Sequence, residues 1–279
     1  MPFWKAKPPQ HQTLVGTHLL EDVVSSLPLA PVLYAEKQAM ESAISPLFEG
    51  KPQGDAVLII GNTAFYAKTI STLPTTSAPI IHVQTSFLDA TCLLPCGVPL
   101  PHLSIFDTHF YQDEEEIQKG LVHLLNLGIS CDKGLFDLVY SSFTLEKLLL
   151  RATPMLLDMQ QEEQQGSRIR AFLTFGYTMG DALFTLSQGD LTFEEALACG
   201  MLYEARLGVR AGRVPLKLYQ DLEGAITYHG LPSSYEMEQE KLENYFRNHT
   251  TDTTITLHLP KKKGVLAPYT LPLVNLLTS

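Results

Sequence analysis

Tyr177 and Asp181 stand four residues apart in the stretch LTFGYTMGDALF, so a helix there presents both on one face, beside Gly176, Gly180 and Phe184. His123 lies in a second helical run, QDEEEIQKGLVHLLNLGIS, three residues before Asn126. The Gly61-Asn62-Thr63 turn joins an apolar run to a helical one, and such a turn can hold a phosphate on backbone N–H groups. A single glycine is equally what an ordinary strand-to-helix turn contains. Cys92 and Cys96 could share a metal only with a second close pair, and Cys131 and Cys199 do not supply one.

The elements that must position these residues change character along the chain. Leu14, Val15, Leu19, Leu20, Val23, Val24 and Leu27 suggest a short helix after an extended start, broken by Pro28 and Pro31. A buried strand over Pro31–Glu36 follows, then a helix ending near Gly50. Gly54 and Asp55 lead into the strand of Ala56–Ile60, the Gly61 turn, a helix, and a further strand over Pro79–Val83. This alternation predicts an α/β layer with parallel strands.

After Tyr111 the pattern is nearly continuous helix, which places a domain boundary there: residues 1–110 as a shortened nucleotide-binding-like α/β domain and 111–279 as a helical domain. Within the second, Lys133–Met159 reads as helix with a break or kink at Pro154. Gly176 and Gly180 are small enough to let a neighbouring backbone approach, and the run Ala196, Ala198, Cys199 and Gly200 offers the complementary surface. Thr253–Leu259 alternates with period two, and the three lysines Lys261, Lys262 and Lys263 read as an exposed solubilising patch.

The composition, 45% hydrophobic and 18% charged over 279 residues, is that of a globular chain. A net charge of −10 opposes non-specific nucleic-acid binding and adhesion to anionic membranes. There is no apolar run of about 18 residues and no signal-peptide centre in MPFWKAKPPQHQ, which leads to an expectation of a cytoplasmic protein. Four scattered cysteines fit reduced thiols.

LTFGYTMGDA and FEEALACGM resemble the signature region of the dehydroquinate synthase family, in which L-N-F-G-H-T-x-G-H-A leads through a turn into H-G-E-A-V-A-x-G-M. Leu173, Phe175, Gly176, Thr178, Gly180 and Ala182 match in the first segment, and Glu195, Ala196, Gly200 and Met201 in the second. The resemblance implies a truncated N-terminal Rossmann-like layer followed by an all-α C-terminal domain. It also implies the family's chemistry: a carbocycle made from a sugar phosphate, with transient oxidation by NAD and a zinc or cobalt ion that holds the substrate hydroxyls.

Position by position, that chemistry is depleted. The three metal-ligand positions of the family fall on His123, Tyr177 and Phe193, and phenylalanine cannot coordinate. Asn126 falls on an active-site lysine and Asp181 on a second histidine of the signature helix, while Arg170 matches an arginine shortly before it. Asp55, Gly61, Asn62 and Thr85 fall on the dinucleotide site. Two family glycines are replaced there by Asn62 and Thr63, a strand–helix unit is missing between Gly50 and Gly54, and the glycine–lysine loop expected after Asp89 is absent. The expectation is therefore a fold kept for packing, with neither zinc nor NAD bound, acting as a non-catalytic binding or regulatory protein. A protein partner or a homodimer, and a vestigial small-molecule pocket, go with that reading. The alternative is 3-dehydroquinate synthase or another sugar-phosphate cyclase of the shikimate pathway type, with a rebuilt site.

Overall fold

The computed structural model of the chain describes residues 12–17, 19–26, 30–38, 41–42, 49, 53–73, 78–141, 144–164, 174–250 and 252–277. Most of the helix expected over Lys37–Gly50, and Arg170 and Leu173 of the signature region, lie outside the described residues. By packing, the chain divides into two compact units, Met1–Ile117 with Thr144–Gln164 and Gln118–Phe143 with Gln165–Ser279.

In the first unit β1 (Gln12–Gly16), β2 (Ala30–Ala35), β3 (Gln53–Gly61), β4 (Ile80–Gln84) and β5 (Leu103–Asp107) form one parallel sheet in the order β1-β5-β4-β3-β2. Its strands read as unbroken apolar runs because both faces are covered. On one side Val57 and Ile59 of β3 pack with Tyr66 of helix α2 (Thr63–Thr72). On the other, Leu58 and Ile60 pack with Leu20 and Val23 of α1 (Leu19–Ser26). Buried Asp107 ties α1 to the sheet by accepting the Leu20 amide at 3.0 Å.

Two sequence readings are corrected here. The helix read from Leu14 begins only at Leu19, because Leu14 and Val15 are strand residues paired with Ile105 and Phe106. Strand β5 was not foreseen, since its five residues, LSIFD at the end of the proline-rich stretch from Pro95, give little pattern, yet all five are buried.

Helix α3 (Phe87–Ala90) follows β4, and α4 (Glu114–Cys131) opens with three glutamates at the positive end of its dipole. The stretch read as helix with a break or kink at Pro154 is two helices, α5 (Lys133–Tyr140) and α6 (Leu145–Gln164), and Pro154 lies inside α6. Proline has no N–H to give to the carbonyl four residues back, that of Leu150, an exposed residue of α6. The Thr153 hydroxyl meanwhile donates to the Leu149 carbonyl at 2.6 Å. Helix α6 continues past the proline.

The second unit holds α7 (Tyr177–Leu186), α8 (Phe193–Arg210), α9 (Leu216–Tyr228), α10 (Gln239–His249) and α11 (Leu273–Leu277). It also carries an antiparallel hairpin, β6 (Thr254–Lys262) with β7 (Val265–Pro272), so the period-two stretch is a strand added to the helical unit. Of the three lysines at its tip, Lys263 is not part of a solvated patch. It is 18% exposed, reaches Asp137 at 2.8 Å and Asp221 at 3.1 Å, and lies over the Phe136 ring.

Candidate functional site

The signature region is built on an interlock of glycines. A Cβ at Gly200 of α8 would stand 2.2 Å from the Gly176 carbonyl and 2.5 Å from the Gly180 nitrogen, so α7 and α8 touch backbone to backbone there. Gly176 is not inside the helix, as the spacing suggested. It precedes α7 with φ +82°, a left-handed conformation open to glycine at little cost, and the helix starts at Tyr177.

What ends the helix at that point is Glu204, fully buried on α8. Its carboxylate accepts the Gly176 amide at 2.8 Å and the Met179 amide at 3.1 Å, with Thr178 as a third backbone donor. These are N–H groups that no turn of α7 can satisfy. Burial pushes the Glu204 carboxyl up to about 7, against the pull of its three backbone donors. Sequence reasoning passed over Glu204, although a glutamate between Tyr203 and Ala205 on an otherwise apolar helix face was a visible signal. Glu195, by contrast, closes a capping box with Thr192 at the start of α8.

The three positions that the resemblance aligns with metal ligands do come together, as an aromatic cluster. The Phe193 ring is 5.8 Å from that of Tyr177, 5.7 Å from Phe184 and 6.5 Å from the His123 imidazole, which lies nearly parallel to it. His123 Nε2 faces the Glu194 carboxylate at 3.5 Å, both side chains being 12% exposed. Burial would raise the Glu194 carboxyl, but the His123 hydrogen bond, a backbone hydrogen bond and the charges of His123 and Lys119 together outweigh it and hold the group below its ordinary value. One imidazole, one phenol and a phenyl ring do not make a zinc site, because only the imidazole is a strong donor. Asp181 does not complete the set. It accepts the Tyr245 hydroxyl at 2.6 Å on the exposed side of α7. Among the described residues no three His, Cys, Asp or Glu side chains are placed to hold a metal ion together. The residues present do not fit the family's zinc or cobalt.

Asn126 is likewise committed to the scaffold. It is 4% exposed and donates its amide to the Phe175 carbonyl at 2.7 Å, one residue before the left-handed Gly176. The side chain aligned with a lysine of the active site thus fixes the entry to α7.

In the first unit the structure gathers Gly61, Asn62 and Thr85 at the C-terminal end of the sheet, where open α/β folds place ligands. Asp55 lies within β3, and its side chain is outside the described residues. The turn is already filled by protein carboxylates. Glu36 accepts the Asn62 amide at 2.9 Å, the Asn62 side chain at 3.0 Å and the Thr85 hydroxyl at 3.4 Å. Asp89 accepts the Thr63 amide at 2.8 Å, and Glu116 is bonded to the Ser86 hydroxyl and the Leu88 amide. The N–H groups that would meet a pyrophosphate are therefore taken, and three negative charges surround the place. Asp89 is raised chiefly by burial, against its bonds to Thr63, with Glu116 and Glu36 adding to the rise. Gly61 serves packing, since a Cβ there would meet the Phe65 ring at 2.6 Å. These residues do not fit a dinucleotide. Neither Glu36 nor Glu116 stood out in the sequence, because a strand-end glutamate and a helix-start glutamate are ordinary on their own.

Behind that turn His82 is 3% exposed, stacked on Tyr66 at 4.3 Å, with its Nε2 3.1 Å from the Gly61 carbonyl. Burial lowers its imidazole to about 4, against the opposing pull of that carbonyl.

Residues 120–253 match the 3-dehydroquinate synthase C-terminal family. Among curated relatives, 3-dehydroquinate synthase of Saccharolobus solfataricus is 25% identical over 236 residues, covering 73% of this chain and 66% of the relative. That of Clostridium tetani is 27% identical over 179 residues, 60% of this chain and 48% of the relative. The matched parts thus span about half to two thirds of those relatives' lengths. Among solved structures, 2-epi-5-epi-valiolone synthase from Streptomyces hygroscopicus subsp. jinggangensis, with NAD+ and Zn2+ bound, superposes with a TM-score of 0.72. It is 13% identical and the match covers 98% of this chain and 96% of that one. A 2-deoxy-scyllo-inosose synthase gives 0.69 at 14% identity, over 96% and 95%. At such identities the likeness is one of fold. No described helix is long and apolar enough to cross a membrane.

Proposed function

We propose that the chain is a dehydroquinate synthase-like relative of the sugar-phosphate cyclases that works without that family's metal and nicotinamide chemistry, as a non-catalytic binding or regulatory protein. The observation that carries this reading is that Phe193 and Tyr177, packed with Phe184, leave a single imidazole, His123, at the three ligand positions. A Lewis acid needs about three protein donors with a position left open. The carboxylates on the Asn62 and Thr63 amides support the same conclusion independently, since a pyrophosphate would have to displace two anions and enter beside a third. On this reading the protein acts through a protein partner or a second copy of itself, which mass measurement under native conditions tests.

A rebuilt active site, as a 3-dehydroquinate synthase or related cyclase, is the competing reading. The pairing of His123 with Glu194 favours it, as a histidine–carboxylate pair able to move a proton. Calorimetric titration with NAD, together with an assay of phosphate release from sugar-phosphate substrates of the relatives, separates the two. The non-catalytic reading expects no saturable NAD heat and no phosphate release above a His123→Ala control. Micromolar NAD affinity, or turnover lost in His123→Ala, overturns it.

A further inference from the structure

A half-open cavity of about 600 Å³ lies wholly within the second unit and shares no lining residue with the cluster around Phe193. That volume is within the usual range of small-molecule sites, about 300–1,000 Å³. Its floor is apolar, from Leu183 of α7, Leu202 of α8 and Leu242 of α10. Tyr203 and Tyr219 line its sides.

Its polar groups are few. Arg206 is exposed at the cavity, its guanidinium 5.5 Å over the Tyr203 ring, and it has no carboxylate partner among the described residues. Stacking holds the planar fork in place while leaving its N–H donors available, the arrangement that suits a carboxylate. Across the cavity runs the extended segment between α9 and α10. There Ser233 and Ser234 present hydroxyls, and none of the amides from Ser233 to Met237 donates to another backbone group among the described residues. Glu236 also lines the cavity, which disfavours a doubly charged anion such as a phosphate monoester. The one thiol, Cys199, is bonded to the Pro232 carbonyl at 3.6 Å and pushed up to about 11, chiefly by burial, so it is no nucleophile.

The geometry points to a ligand site of its own, for a small organic monocarboxylate with an apolar or aromatic body. The carboxylate lies on Arg206, with the serine hydroxyls and open amides opposite, and the body rests on the leucine floor beside the tyrosines. Binding is non-covalent and does not depend on whether the family's chemistry survives elsewhere in the chain.

Calorimetric titration of the full chain with 3-phenylpropionate, and with 3-phenylpropan-1-ol as its uncharged counterpart, tests this. The acid is expected to saturate with a Kd below about 1 mM and the alcohol to bind at least about tenfold more weakly. Arg206→Gln should remove that difference and Arg206→Lys should restore part of it. Ser234→Trp, which fills the cavity, should abolish binding of both. Arg206 and Ser234 are exposed, so thermal unfolding of the variants should match the parent chain. No saturable heat with the acid, equal affinity for acid and alcohol, or unchanged affinity in Arg206→Gln or Ser234→Trp would each overturn the assignment.

Discussion

Glu204 shows how far a single side chain here has been given to structure. Its buried carboxyl caps α7 from a neighbouring helix, and its proton is held to about pH 7, whereas an unfolded glutamate loses its own near 4.5. Between those values the folded chain binds more protons than the unfolded one, so this group's contribution to stability falls as pH rises, by on the order of 3 kcal/mol across the window. His82 works the other way. Neutral to about pH 4 in the fold, it contributes fully above 6.5 and loses that contribution as pH falls toward 4. Urea unfolding at pH 5 and pH 7.5, for the parent chain and for Glu204→Gln, isolates the first effect because His82 is common to both. The variant should be less stable than the parent at pH 5 and should close that gap, or reverse it, at pH 7.5. Parallel pH profiles would show that Glu204 is ionised throughout. Asn126 makes a similar point, since at a position aligned with a catalytic lysine it is engaged with a backbone carbonyl.

At the scale of elements, the contact of α7 with α8 fixes what can be changed. The carbonyl and nitrogen facing a Cβ at Gly200 are backbone atoms that cannot rotate away. Gly200→Ala is therefore expected to cost about 3 kcal/mol or more, at or beyond the upper end of ordinary overpacking. Asp181→Ala removes one bond to Tyr245 from an exposed position and should cost about 1 kcal/mol or less. Thermal unfolding of the two variants checks the pair, and equal losses would mean that Asp181 belongs to a buried network. The glycine contact was legible in the sequence because small residues recur at helical spacing on both partners. The start of α7 was not, because it depends on a carboxylate 28 residues downstream in the chain. Strand β5 escaped for a related reason: its burial comes from β1 and β4 on either side, while its own five residues carry little pattern. Pro154 left a break or a kink open in the sequence, and the helix runs through it, while the gap between α5 and α6 falls earlier, before Leu145.

For the whole molecule, the two-part fold and the likeness to the dehydroquinate synthase family were readable because packing residues recur in patterns that survive substitution of the polar ones. The state of the sites was readable only in part. That Tyr177, Asp181 and Phe193 stand where the resembling family has histidines, and Asn62 and Thr63 where it has glycines, could be seen in the sequence, but what packs around them could not. Phe193 gathers Tyr177 and Phe184 from α7 and His123 from α4, while Glu36 and Asp89 reach one turn from separate places in the chain with Glu116 beside them on Ser86 and Leu88. Both replacements are long-range packings, and both act against the same chemistry. The central claim is that the ligand positions no longer hold an ion. Elemental analysis of the protein purified from zinc- and cobalt-supplemented medium tests it most directly. The account predicts far less than about one ion per chain, unchanged by His123→Ala. About one zinc or cobalt per chain in the parent, lost in His123→Ala, would contradict it.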